Sequence, residues 1–197
     1  QEGAEDRIEG AVEDMMTHGV RAGDFVIGIA ASGTTPYVRY GLEHARSLPA
    51  VTALIACSPP PRDTRELVDI LILPITGPEV VTGSTRMKAG TATKLVLNMI
   101  TTGAMVRLGK TFGNLMVDLR ATNDKLVDRS ERILMEVCDV PRDRARTLLD
   151  DSGGTVKTAI VMHFLGVSRE EAERKLEEGG GVIRRVVRRP PPAVRVT

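Results

Sequence analysis

The chain has no tryptophan, and two tyrosines and three phenylalanines are its only other aromatics. Base-stacking platforms for single-stranded nucleic acid need such rings, so that class is excluded. A charge of one sign is also missing. There are 27 basic and 26 acidic residues, a formal net charge of +1, so no global field draws the chain to nucleic acid or an anionic membrane. Its two cysteines, Cys57 and Cys138, lie far apart and form no CxxC pair, which points to a reducing cytosol. Three scattered histidines (His18, His44, His163) offer no metal site, and no metal or organic cofactor is expected. No apolar run is long enough to span a bilayer, and no secretory signal opens the sequence. The expectation is therefore cytoplasmic, with a small molecule as partner rather than nucleic acid or membrane. The first residue is Gln1, not Met, which reads as a processed, trimmed or partial chain.

What the chain has is 197 residues, enough to bury a sizeable core in one or two domains. It is organised around residues 77–108, GPEVVTGSTRMKAGTATKLVLNMITTGAMVRL. A Gly/Pro/Ser/Thr-rich loop leads into a long helical run that is apolar nearly all round from Leu95 onward. A helix without a polar face belongs inside a larger body. The loop before it holds Glu79, Ser84, Thr85, Arg86 and Lys88. A polar loop at a helix N-terminus suits an anionic small molecule, although an ordinary solvated loop before a core helix has the same composition.

In chain order, residues 2–18 read as one amphipathic helix with Ile8, Ala11, Val12, Met15 and Met16 on one face. At about 100° per residue, Glu5 falls within about 20° of Val12 and Met16. That places its carboxylate on the apolar seam, where desolvation would suit it to proton transfer. The alternative is a frayed first turn in which Glu5 only favours the helix dipole.

Residues 25–30 (FVIGIA), a helical repeat from Tyr37 to Ala45, and residues 51–57 (VTALIAC) make a right-handed βαβ unit. Unbroken apolar strands predict a parallel sheet covered on both faces. Ligands bind such sheets beyond the strand C-termini, where Ser32, Gly33, Thr34 and Thr35 lie, with Pro36 suited to the first helical position. Small residues and hydroxyls at a helix start make a phosphate cradle; a plain Ser/Thr cap is the alternative. The Walker pattern GxxxxGK[ST] is absent. A short helix near residues 63–68, a third strand at 70–75 and a fourth at 115–119 complete an α/β fold, a three-layer α/β/α sandwich with a parallel sheet.

From about Thr122 the pattern becomes helical throughout. Amphipathic helices are expected around Leu126 to Val137 and at 141–150, 155–165 and 168–178, forming a small C-terminal helical bundle. Ser168 with Glu171 is a capping box. Arg142, Arg144, Arg146, Arg169 and Arg174 read as a solvated face. Arg184, Arg185, Arg188 and Arg189 lead into a proline run, expected to be a disordered tail. The expected domains are 1–121, 122–189 and a tail at 190–197.

Five strings carry a resemblance: EGAED (2–6), VIGIAASGTTPYV (26–38), GPEVVTGSTRMKAGTATKLVLNM (77–99), GKTFGNLMVDLRATNDKL (109–126) and VKTAIVM (156–162). Together they resemble the N-acetylmuramic acid 6-phosphate etherases, a family built on the sugar isomerase (SIS) domain. The resemblance implies a lyase that splits a D-lactyl ether by elimination and then hydration, in cell-wall amino-sugar recycling. It implies Glu5 as the base that removes the sugar C2 proton. Ser32, Gly33, Thr34 and Thr35 match the loop that helps hold the phosphate. Ser84, Thr85, Arg86 and Lys88 match the loop that closes on the ligand, and Glu79 is grouped with those contacts. A homodimer paired through helices is implied as well. The family commonly has Arg where this chain has Thr34. Its first strand, first loop and acid glutamate match nothing in this sequence, so a truncated etherase with little or no activity is the expectation. The alternative is a non-catalytic SIS sugar-phosphate sensor, which needs the phosphate loop but no base. An isomerase with Glu79 as proton shuttle fits the strings less well.

Overall fold

The computed structural model describes residues 3–120 and 122–193. It divides into two compact units, Gln1–Met99 and Ile100–Thr197.

The first unit is α/β. A 3₁₀ turn (Ala4–Asp6) precedes α1 (Ile8–Thr17), followed by β1 (Phe25–Ile29), α2 (Pro36–Ser47), β2 (Val51–Ile55), α3 (Arg62–Glu66) and β3 (Ile70–Ile72). The three strands run parallel in the order β1-β2-β3. Phe25 faces Val51 across the first pair, and Ala53 faces Ile70 across the second. The helix α2 packs onto β1 at Gly28, where a Cβ would stand 2.7 Å from Leu42 and from Val38. Only a residue without a side chain permits that approach. Leu42, Leu54 and Ala56 form the core there, with Val26, Val38 and Leu71 against them. Buried Thr52 is satisfied by Asp69, whose Oδ2 accepts from its backbone N–H (2.8 Å) and its hydroxyl (3.0 Å). Those bonds hold the Asp69 carboxyl below the usual carboxylate range.

The long helix α4 (Lys88–Arg107) begins in this unit. The second unit continues with a hairpin of β4 (Thr111–Phe112) and β5 (Leu115–Met116). Its helices are α5 (Asp124–Cys138), α6 (Arg142–Asp151), α7 (Val156–Leu165), α8 (Arg169–Glu178) and α9 (Ile183–Val187). The expected C-terminal helices are found, with α9 in addition. The helix α7 lies at the centre, touching α5, α6, α8 and α9; its Val156, Ala159, Ile160 and Val161 are fully buried. Asn123 caps α5 through the Leu126 N–H (3.0 Å), and Ser168 caps α8 through the Glu171 N–H (3.3 Å). No described helix is long and apolar enough to cross a membrane.

Several expectations are corrected. Residues 2–18 are not one helix: Arg7 is extended (φ −83°, ψ 94°) and separates the 3₁₀ turn from α1. Glu2 lies outside the described residues. Residues 115–119 are not a fourth parallel strand. Gly113, with φ +64°, turns the chain back so that Phe112 pairs with Leu115. The third strand stops at Ile72. Both faces of β2 are covered, with Thr52 and Leu54 buried on one and Ala53 and Ile55 on the other, while Phe25 and Ile29 stay exposed on one side of β1. The helix α4 is not buried all round: Ala89 and Val96 are buried, whereas Leu95, Met99, Met105 and Val106, with Leu108 just past its end, are exposed. Arg142 and Arg146 are more than a solvated face. They hold Glu131, which is 1% exposed, at 2.7 and 2.8 Å. Of the expected tail, residues 194–197 lie outside the described residues. Pro191 sits over the hairpin, its Cβ 2.8 Å from where a Cβ on Gly113 would stand.

Candidate functional site

The chain leaves β1 through Ala30 and Ala31 and enters α2 at Thr35. Gly33 makes the bend possible. Its φ is +70°, its N–H donates to the Ala30 carbonyl (2.9 Å), and a Cβ on it would meet Pro60 at 2.5 Å. The far side of the loop is fixed by Cys57 and Ser58, whose N–H groups donate to the Ala31 carbonyl at 2.8 and 3.1 Å. Within the loop, the Ser32 and Thr34 hydroxyls share a 2.6 Å hydrogen bond, and the Thr34 N–H donates to Ser32 Oγ (3.2 Å). Thr35 occupies the cap position of α2 without a side-chain capping bond, and Pro36 opens the helix. Its hydroxyl is therefore not the ordinary helix cap, and the first turn of α2 keeps its positive end.

A cleft of about 560 Å³ opens over this loop. Ser32, Thr35, Tyr37, Thr85 and Glu5 line it. Residues from the 3₁₀ turn, the β1–α2 loop and the loop before α4 thus meet at one place. Glu5 is exposed, which corrects the seam placement. The extended Arg7 breaks the helical register that would have carried Glu5 onto the α1 face. Gly33 is buried beneath the loop, while Thr34 is exposed on it.

A smaller cleft of about 140 Å³ shares Ser32 and Thr85 with the first and adds Cys57, Ser58, Thr76 and Glu79. Glu79 does something the loop composition did not reveal. Its two oxygens accept from the N–H groups of Ala89 (3.0 Å) and Lys88 (3.1 Å). These bonds hold its carboxyl below the usual range. The N-terminus of α4 already has an anion, supplied by the protein. Lys88 returns the contact by donating from Nζ to the Pro78 carbonyl (2.8 Å). Ser84 closes a turn on Val81, and Ser84, Arg86 and Lys88 line neither cleft.

Sequence reasoning missed Tyr37 as a site residue, counting it among the apolar repeat of α2. Its hydroxyl donates to Asp14 Oδ2 on α1 at 2.7 Å. That bond to a carboxylate pushes the phenol's proton loss upward. The available signal was its place: a polar-tipped aromatic directly after Pro36, beside the loop hydroxyls. Cys57, Ser58 and Thr76 carried no such signal.

No protein-family profile matches the sequence. Individual relatives do. An N-acetylmuramic acid 6-phosphate etherase of Rhodopirellula baltica is 54% identical over 175 residues, 89% of this chain and 58% of the relative. One from Mycolicibacterium smegmatis is 53% identical over 178 residues, 89% and 59%. An etherase 2 from Vibrio cholerae is 48% identical over 187 residues, 95% and 61%. Over the residues it spans, the chain is similar to N-acetylmuramic acid 6-phosphate etherases. It covers about three fifths of the length of these curated relatives. A match of 175 residues in a chain of 197 includes both loops of the site wherever it begins. The loop of Ser32 to Thr35 and the loop before α4 therefore lie inside the etherase-like stretch.

Proposed function

We propose that this chain is the sugar-phosphate-binding and base-bearing part of an N-acetylmuramic acid 6-phosphate etherase, a carbon–oxygen lyase. The observation that carries this is the shared cleft. Among the described residues Glu5 is the one carboxylate lining the larger cleft, and it shares that cleft with Ser32, Thr35 and the first turn of α2. In this reading the sugar phosphate lies on the loop of Ser32, Gly33, Thr34 and Thr35, where hydroxyls and the α2 dipole favour negative charge. The α4 N-terminus is left out of phosphate binding, because Glu79 fills it. Thr85 closes the cleft from the other side. Ser84, Arg86 and Lys88 shape that loop rather than touch the ligand.

Glu5 takes the C2 proton of the open-chain sugar, next to its aldehyde. The electron pair forms the C2–C3 double bond as the C3–oxygen bond to lactate breaks, and the departing oxygen receives a proton. Water then adds across the double bond, giving N-acetylglucosamine 6-phosphate and D-lactate. The cytoplasm, where sugar phosphates are made and kept, is the compartment this reading implies. A homodimer is part of it too, since α4 presents Leu95, Met99 and Met105 outward.

Incubation with N-acetylmuramic acid 6-phosphate and measurement of D-lactate test the proposal. Glu5→Gln should lower turnover by about a hundredfold or more and leave ligand binding intact. A sensor would bind the ligand, release no lactate, and ignore that substitution.

A further inference from the structure

We infer that the Tyr37–Asp14 hydrogen bond is the positioning contact that sets Glu5 against the Ser32 loop. This inference rests on the etherase reading for its catalytic consequence, though not for its geometry. Tyr37 is the second residue of α2 and lines the larger cleft. Asp14 lies 23 residues earlier, on α1. The rest of the α1–α2 seam is smooth. A Cβ on Gly10 would stand 3.8 Å from the Tyr37 ring, and one on Gly41 would stand 3.1 Å from Met15 Cε and 3.5 Å from the Ala11 Cβ. Helices that meet through glycine and alanine have shallow ridges, so packing alone resists sliding weakly. One directional bond to a charged acceptor then fixes their register.

Glu5 inherits that register. Its 3₁₀ turn touches α2 and joins α1 through Arg7, whose N–H donates to the Ala4 carbonyl at 3.3 Å. At the other end, α2 starts where the phosphate loop stops. A bond from α1 to the first turn of α2 therefore ties the base to the hydroxyls it must face. Tyr37 acts through Glu5 and is a positioning residue. A base displaced by about 1 Å loses on the order of a hundredfold in rate.

The test uses backbone amide resonances of the 197-residue chain. Glu5→Gln removes a charge beside the loop and should shift the Ser32, Gly33, Thr34 and Thr35 amides. In the Tyr37→Phe background the same substitution should shift them by less than roughly half as much. With Tyr37 intact, Asp14→Asn keeps an acceptor oxygen and should preserve the response, whereas Asp14→Ala should lose it. Amide exchange in α1 should quicken by about tenfold in Tyr37→Phe, with β2 unchanged. In the lactate assay Tyr37→Phe should lower kcat about tenfold or more and alter KM little. The inference is overturned if the loop amides ignore Glu5→Gln, if Tyr37→Phe leaves the response intact, or if exchange quickens equally in β2. Failure of the unsubstituted chain to bind N-acetylmuramic acid 6-phosphate would sink the etherase reading instead, and the amide response would still decide the positioning claim.

Discussion

The Glu79 carboxylate accepts the backbone N–H of Ala89 at 3.0 Å, across ten positions of sequence. It thereby spends the positive end of the longest helix on a protein side chain and pins the loop carrying Thr85 to that helix. With the neighbouring Lys88 N–H it holds Glu79 ionised to lower pH than an ordinary glutamate.

That depressed value sets a pH window. Below its folded pKa, Glu79 is protonated in both states and contributes nothing. Above the ordinary glutamate range, the folded state alone gains from ionisation, so stability is fully present there. Melting curves for the wild type and Glu79→Gln should differ at neutral pH, with the variant less stable. The gap should close as pH falls through the acid range. A gap that stayed constant down to strong acid would show that the carboxylate charge is not what fastens the loop.

Buried Glu131 makes a second prediction, this time about asymmetry. Its side chain is 2% exposed, while Arg142 and Arg146 are 41% and 59% exposed. Replacing Glu131 by Met leaves Arg142 paired with Asp128 and Arg146 open to water, and apolar replacement of a buried ion is often nearly neutral. Replacing both arginines by Ala strands a buried carboxylate, at a cost of about 3–5 kcal/mol. Urea unfolding of the two variants should rank the double arginine variant as much the weaker. The reverse order would show that the arginines owe their effect to something other than Glu131.

The βαβ unit and its loop were legible because local chemistry decides them. Residues 25–29 and 51–55 are apolar, Pro36 suits a first helical turn, and a loop of small residues joins strand to helix. The helices of the second unit were legible from their spacing and caps. What failed depended on a single backbone residue or on distant partners. Arg7, by being extended, moved Glu5 off the α1 register. Gly113 and Asn114, a two-residue turn signal, made a hairpin of a stretch whose apolar pattern also suits a parallel strand. The Glu131 pairs span 11 and 15 positions, too far for any helical repeat to announce. The apolar pattern of α4 predicted a buried helix, whereas Leu95, Met99 and Met105 stay exposed within this chain.

That surface yields the third prediction, which follows from the proposed homodimer. Leu95 and Met99 are 56% and 65% exposed, one helical turn apart. Substituting both by Lys removes no buried contact within the chain, so the melting temperature at low concentration should hardly move; exposed substitutions stay within about 0.5 kcal/mol. Light scattering should show a wild-type dimer and a variant monomer. A wild type that is monomeric at high concentration would remove the dimer from the proposal.

The last prediction separates the loop's shape from the sheet's packing. Gly28→Ala and Gly33→Ala each add one methyl group to the same crossover. At Gly28 the methyl meets the ends of Leu42 and Val38 at 2.7 Å, side chains that can shift within the core. Overpacking of this kind costs about 1–3 kcal/mol. At Gly33 the methyl meets Pro60, a rigid ring, at 2.5 Å, and the backbone has φ +70°. The left-handed conformation alone costs a residue with a side chain about 1–2 kcal/mol. Relief there must come from the loop itself, which moves the Ser32 and Thr34 hydroxyls off their shared bond. Both variants should melt earlier than wild type. Titration calorimetry with N-acetylmuramic acid 6-phosphate should find affinity nearly kept in Gly28→Ala and reduced about tenfold in Gly33→Ala, a loss of about 1.4 kcal/mol. Equal affinities in the two variants would mean that the ligand does not read the shape of this loop, and the phosphate would have to be sought elsewhere in the unit.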